Sequence, residues 1–143
     1  MEPGLFEVAF TEFTEASGRW RDTSPVDLLG RWERFVAECE RGYRQDDEDY
    51  VNDLTSRMAI ERAMRSEELA RFPEMAEFRR QVVRIDERFR VLLHPDVFPN
   101  LPAEEWWARG MVRYAGHKLV NDLRKRGVTI DLVSEGNDAP DDS

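Results

Sequence analysis

Apolar and polar residues follow one another along this chain with a period that changes at recognisable boundaries. Near the start, Phe6, Val8 and Phe10 alternate with Glu7 and Ala9. Alternation with period two predicts a short strand, and a short helix is the alternative because Leu5 and Phe13 fit that parity imperfectly. Residues 17–23 read as a polar connector. The period then lengthens: Leu28, Leu29, Trp32, Phe35, Val36, Cys39 and Tyr43 recur at spacings of three and four. On a helical wheel they fill an arc of roughly 120°, the buried stripe of an amphipathic helix. Ser24 offers an N-cap oxygen and Pro25 suits the first helical position. Asp27 puts a negative charge in the first turn, where the helix dipole favours one. This first helix is expected to end near residues 42–44.

After the acidic run at 45–49 a second helix is expected to extend to about Ala70. Tyr50, Val51, Leu54 and Met58 form one stripe, while Ile60 and Met64 lie on another. Either this helix is buried on two sides or it breaks near Ser66. Pro73 opens a third helix, in which Phe78, Val82, Ile85, Phe89 and Leu92 are spaced four, three, four and three. The run is too short for a coiled coil, so it predicts core packing in a bundle. His94-Pro95 ends it, because a residue before proline avoids the helical region. Residues 94–102 form a proline-punctuated loop. A fourth helix is expected from Pro102 to about Arg126, closed by Gly127 as C′ residue, with Arg124, Lys125 and Arg126 matching the negative end of its dipole. Val128, Ile130 and Leu132 alternate with Thr129 and Asp131, a second strand candidate.

The predicted fold class is therefore mainly α: a bundle of about four helices, with a short two-stranded β ribbon available to the N- and C-terminal segments. A single domain over residues 1–133 and a disordered acidic tail over 134–143 are the expected organisation. A chain of 143 residues buries roughly two-thirds of its unfolded surface, so it needs no metal or disulfide staple.

Charge narrows the functional classes. Thirty acidic residues against 21 basic ones give a formal charge of −9. That sign disfavours nonspecific binding to nucleic acid or to an anionic membrane. Cys39, the lone cysteine, excludes an internal disulfide and a thiolate-rich metal site. The opening MEPGLFEVAF lacks the basic and apolar regions of a secretory signal, and no stretch approaches the roughly 20 apolar residues of a membrane span. A cytoplasmic setting follows as the expectation.

Candidate chemistry concentrates on the fourth predicted helix. Trp107, Met111, Tyr114, Ala115, Leu119 and Leu123 account for its core arc. Trp106 points about 100° away, and Gly110, Arg113 and His117 fall with it in a sector of roughly 60°. Arg109 flanks that row. An aromatic ring, a bare backbone patch, two guanidiniums and an imidazole on one face suit an anion, or a partner's carboxylate in bidentate geometry. The plainer alternative makes Trp106 a second core residue, Gly110 a close-packing position and the arginines solvated. From Arg109 to Arg126 six basic residues face one acid, Asp122, which allows three readings: docking of an acidic segment of this chain, binding of an acidic protein partner, or contact with nucleic acid phosphate, the last disfavoured by the overall charge of −9.

Two further patterns point to phosphate chemistry. Asp46, Asp49 and Asp53 share one face of a helix and could hold Mg²⁺ through oxygen ligands. The aspartate-rich pattern of terpenoid synthases wants an acid at position 50, where Tyr50 stands. The paired ExxE and ExxD of helical nucleotide pyrophosphohydrolases are incomplete: Glu74 and Glu77 match the first, but Glu135 and Asp138 lie in the tail. An acidic run at a helix start is ordinarily a cap and a solvated face. Arg88 and His94, with five residues between them, resemble the Arg-x4–6-His pattern of helical HEPN-type ribonucleases, and that two-residue resemblance implies an RNA-cleaving activity. Cys39 sits on an apolar stripe, where a thiol packs rather than reacts.

The expected function is a non-enzymatic one: a small protein that works by binding another protein or a second copy of itself, in the manner of an inhibitor or immunity protein. No catalytic residue, metal or cofactor is assigned. The binding residues expected are Trp106, Arg109, Gly110, Arg113 and His117, with a small anionic ligand as a further occupant. The alternative is a helical enzyme acting on a phosphate-containing substrate, either a Mg-dependent nucleotide hydrolase or a HEPN-like ribonuclease.

Overall fold

A computed structural model of the chain describes residues 4–133. It is mainly helical, with 63% of those residues in helices and the rest of the regular structure in two small sheets. The helices are α1 (Leu5–Ala16), α2 (Pro25–Arg41), α3 (Asp47–Arg65), α4 (Glu67–Ala70), α5 (Glu74–Arg90), α6 (Trp106–Arg109) and α7 (His117–Lys125). The strands are β1 (Leu93–His94), β2 (Met111–Val112), β3 (Tyr114–Ala115) and β4 (Asp131–Leu132). The described residues form two compact units: one from residues 4–35 with Asp53–Glu87, the other from Val36–Asn52 with residues 88–133.

In the first unit the N-terminal segment is a helix, not the strand its alternation suggested. Phe6, Phe10 and Thr14 are buried at spacings of four, whereas Val8, which alternation would place with Phe6 and Phe10, is 40% exposed. The aromatic residues decide the period. The Phe6 ring lies 5.7 Å from those of Phe10 and Phe72, and Phe10 lies 5.0 Å from Phe78. Glu7 reinforces the first turn by accepting the Gly4 N–H at 2.9 Å. Among the described residues the N-terminal segment therefore forms no ribbon with residues 128–132, because it is helical.

Helix α2 begins as its cap residues require. The Ser24 hydroxyl accepts the Asp27 N–H at 3.1 Å, and the Ser24 carbonyl accepts that of Leu28 at 2.9 Å. Of the predicted stripe, Leu28, Trp32, Phe35, Val36, Cys39 and Tyr43 are buried, while Leu29 is half-buried at its edge. Gly42, at φ +105°, turns the chain out of the helix, a conformation that costs glycine little. The second predicted helix does break near Ser66: α3 ends at Arg65, and the Ser66 hydroxyl caps the single turn of α4 by accepting the Leu69 N–H at 3.1 Å. In α5 the four-three stripe of Phe78, Val82, Ile85 and Phe89 is buried.

One buried polar cluster sits in this unit. Asp86 accepts the Trp32 indole N–H at 3.0 Å and grips Arg57 in bidentate fashion at 2.9 and 2.8 Å. Arg57 also reaches Glu61 at 2.9 Å.

The fourth predicted helix is the main correction in the second unit. Residues 102–126 do not form one helix; α6 is a single turn, two short strands follow, and α7 begins only at His117. Strands β1 and β2 pair antiparallel, Leu93 opposite Val112 and His94 opposite Met111. Strands β3 and β4 pair parallel, Tyr114 beside Asp131 and Ala115 beside Leu132, and Tyr43 bridges to Ala115. The backbone of residues 110–116 thus finds its hydrogen bonds in three other segments. The Arg113 N–H donates to Leu92 at 2.7 Å, its carbonyl accepts from Asp131 at 2.9 Å, and the Gly116 N–H donates to Tyr43 at 2.8 Å. The end of the prediction holds: α7 closes at Gly127, φ +83°, with the Val128 N–H returned to the Leu123 carbonyl at 2.8 Å. The tail predicted to be disordered, residues 134–143, lies outside the described residues.

Candidate functional site

The end of α5, strand β1, the loop after it and α6 surround a cleft of about 330 Å³, close to the lower end of the range of small-ligand sites. Its walls are Arg90, Leu93, Pro95, Asp96, Ala103, Trp106, Arg109 and Arg113. Each wall has a local cause. Helix α5 buries Phe89 and leaves the next residue, Arg90, exposed. The Arg90 guanidinium carbon sits 3.7 Å from the centroid of the Trp106 ring, within cation–π reach. Trp106 is held edgewise by Trp107, its buried neighbour, at 5.6 Å, and lies 6.2 Å from Phe89.

Arg109 is structural as much as available. Its Nε donates to Asp96 at 2.6 Å and its Nη1 to the Leu101 carbonyl at 2.9 Å, so it fastens the proline-punctuated loop across the cleft. The Phe98 N–H donating to the Arg109 carbonyl at 2.8 Å completes that clasp. Asp96 takes φ +57°, a conformation that aspartate tolerates better than most residues. Arg113 follows β2 and is exposed, and neither its guanidinium nor that of Arg90 has a carboxylate partner among the described residues. Three guanidiniums therefore meet one carboxylate, a local positive site on a chain of charge −9.

Of the five residues predicted for this site, the structure brings together Trp106, Arg109 and Arg113. They do not share a helical face, because the helix ends at Arg109. Gly110 is no bare patch open to a ligand. It is buried against β1, and a Cβ built there would stand 2.8 Å from the His94 carbonyl oxygen. His117 is the exposed first residue of α7 and does not line the cleft. Arg90, Leu93, Pro95 and Asp96 were missed. A solvent-side arginine one position past a buried phenylalanine carries no distinguishing local signal, and the loop residues enter the cleft only through the β1–β2 pairing.

Asp46, Asp53 and Arg88, three of the residues considered for phosphate chemistry, have other partners. Asp46 caps α3 by accepting the Asp49 N–H at 2.9 Å, and Asp53 pairs with Arg31 at 2.9 Å. The hydrogen bond that Arg31 donates to Asp53 leads the causes that hold its guanidinium above its ordinary pKa. Among the described residues no group of three His, Cys, Asp or Glu side chains is placed to hold a metal ion. Arg88 makes a two-point pair with Glu40 at 3.0 Å for each contact, and this hydrogen bonding holds the Glu40 carboxyl below its usual value. His94 is exposed on β1. Cys39 is buried and forms no disulfide. No helix among the described residues is long and apolar enough to cross a membrane.

Comparison with protein-family models, with curated proteins and with solved structures returned no match.

Proposed function

We propose that the protein is a binding module on a helical-bundle scaffold, and that its cleft at Trp106 receives a carboxylate-bearing segment of another protein. The observation that carries this reading is the pair of guanidiniums, Arg90 and Arg113, flanking Trp106 without a carboxylate partner among the described residues. A planar guanidinium matches a carboxylate in two-point geometry, and one already stacked on an aromatic face loses less freedom when it binds. Tryptophan and arginine are also the residues most enriched where binding energy concentrates in interfaces. An inhibitor- or immunity-like role would use the cleft in this way, with local positive charge selecting an acidic partner although the chain as a whole is acidic.

The test is a titration with a fluorescent peptide rich in aspartate and glutamate, read by anisotropy. Trp106→Ala and Arg113→Ala should each weaken binding by about tenfold, corresponding to about 1.4 kcal/mol. A peptide with glutamine and asparagine in place of the acids should not bind. Equal affinity for the wild type and both variants would remove the cleft as the site. A thermal shift with Mg²⁺ and nucleotides forms the second arm: stabilisation by the nucleotide alongside indifference to the acidic peptide would favour an enzyme acting on phosphate substrates.

A further inference from the structure

A second surface lies in the other unit and carries the opposite charge. Helix α1 and the start of α2 enclose a groove of about 390 Å³, lined by Val8, Thr11, Pro25 and Val26 together with Glu7, Glu12 and Ser24. Its two valines are unusually open to solvent for their type, while Pro25 is buried: Val26 is 71% exposed and Val8 40%, and Leu5, three residues before Val8 on the same helix, is 82% exposed. Clustered exposure of large apolar side chains beside a concavity marks an interaction surface more often than scattered single residues do.

The charge around the groove says what would fit it. Helix α1 contains Glu7, Glu12 and Glu15 and no lysine or arginine. Glu12 has no ion-pair partner among the described residues, and the exposed Asp27 stands next to Val26. Arg19 and Arg21 of the α1–α2 connection and Arg31 of α2 are engaged elsewhere. Arg19 and Arg31 are paired with Asp22, Arg31 also with Asp53, and Arg21 lies over the Trp20 ring. We propose that this groove docks a basic amphipathic helix from a partner protein, with apolar side chains entering between Val8 and Val26 and flanking lysines or arginines meeting Glu7 and Glu12. A groove between two helices is the usual seat for such a helix, which presents apolar anchors at spacings of three and four. A second copy of this chain is a poorer occupant. In a two-fold contact the same patch faces itself, so Glu7 and Glu12 would oppose their own equivalents.

A labelled helical peptide of leucine and lysine in amphipathic order serves as the probe, read by fluorescence anisotropy. The full chain should bind it with an affinity of about micromolar order. Glu12→Lys and Val26→Ser, both at exposed positions, should each weaken binding by about tenfold, while Arg113→Ala should leave it unchanged. That last variant separates this surface from the Trp106 cleft, so either proposal can fail without the other. A peptide of the same composition in scrambled order should bind far more weakly. Equal binding of the scrambled peptide would reduce the effect to net charge and overturn the proposal. Failure of the amphipathic peptide to bind would overturn it as well. So would unchanged affinity in both groove variants, which would place the peptide elsewhere.

Discussion

Replacing Asp86 tests the physical account of the core most directly. Asp86 is 8% exposed and Arg57 3%, so both charges have left bulk water. Three N–H donors converge on the one carboxylate: the Trp32 indole at 3.0 Å and the Nε and Nη2 of the Arg57 guanidinium at 2.9 and 2.8 Å. Asp86→Ala removes both acceptor oxygens, and with them all three hydrogen bonds, at once. Glu61 still receives Arg57 Nη1, but the guanidinium loses its closest counter-charge in a buried setting. Breaking a buried pair by deleting one partner costs about 3–5 kcal/mol, most of it the penalty of leaving the other charge desolvated. The loss is to be read from urea unfolding followed by circular dichroism, with extrapolation to water at constant slope. Arg57→Met should cost a similar amount, because Asp86 then keeps only the indole donor of these three. The double variant Arg57→Met, Asp86→Leu should recover most of the loss, leaving about 1–3 kcal/mol for the unpaired Trp32 N–H. A single-variant cost below about 1 kcal/mol, or additive losses in the double variant, would refute the reasoning, since additivity means the two side chains do not depend on each other.

Two further outcomes follow from local geometry. Gly110→Ala places a Cβ 2.8 Å from the His94 carbonyl oxygen and 3.3 Å from Leu93 Cδ1, so β1 and β2 must separate. We expect a loss of about 1–3 kcal/mol, with faster amide exchange at Arg113, whose N–H bonds to Leu92, and unchanged exchange there would contradict the close approach. The Glu40 carboxyl is held below its ordinary value of 4.5 by its hydrogen bonds from Arg88, so its contribution is fully present above that value and disappears as pH falls through the lowered one. Both side chains are more than a third exposed, so Arg88→Met should cost at most about 0.5 kcal/mol at neutral pH. The difference in urea midpoint from wild type should close as the pH falls below 4.5 and through the lowered Glu40 value, and a gap of constant size would show that the pair is not its source.

The elements that local pattern predicts well are those whose burial is decided by near neighbours. In α2 and α5 the apolar residues recur with the helical period itself, and the cap at Ser24 sits immediately before the stripe it serves. Helix α1 was ambiguous because Phe6, Val8 and Phe10 satisfy period two, while Phe6 and Phe10 also satisfy a spacing of four. Contacts with Phe72 and Phe78, more than sixty residues away, settle it. Similarly, Trp106, Arg109 and Arg113 were recognisable as a group by residue type, but a helical wheel supplied the wrong reason for their proximity and added Gly110 and His117.

By itself, then, the sequence determined the mainly helical class, the buried faces of α2 and α5, the break at Ser66 as one of two options, and the stop at Gly127. Each rests on interactions within a few residues along the chain. Only tertiary structure decided the conformation of residues 110–116, and with it the cleft. Their backbone groups bond to Leu92, Tyr43 and Asp131, all distant in sequence, and Gly110 lets β1 approach more closely than any side chain would allow. A helical pattern there competed with strand pairings that no local window contains, and the pairings won because they satisfy the same backbone groups while burying Met111, Val112 and Ala115.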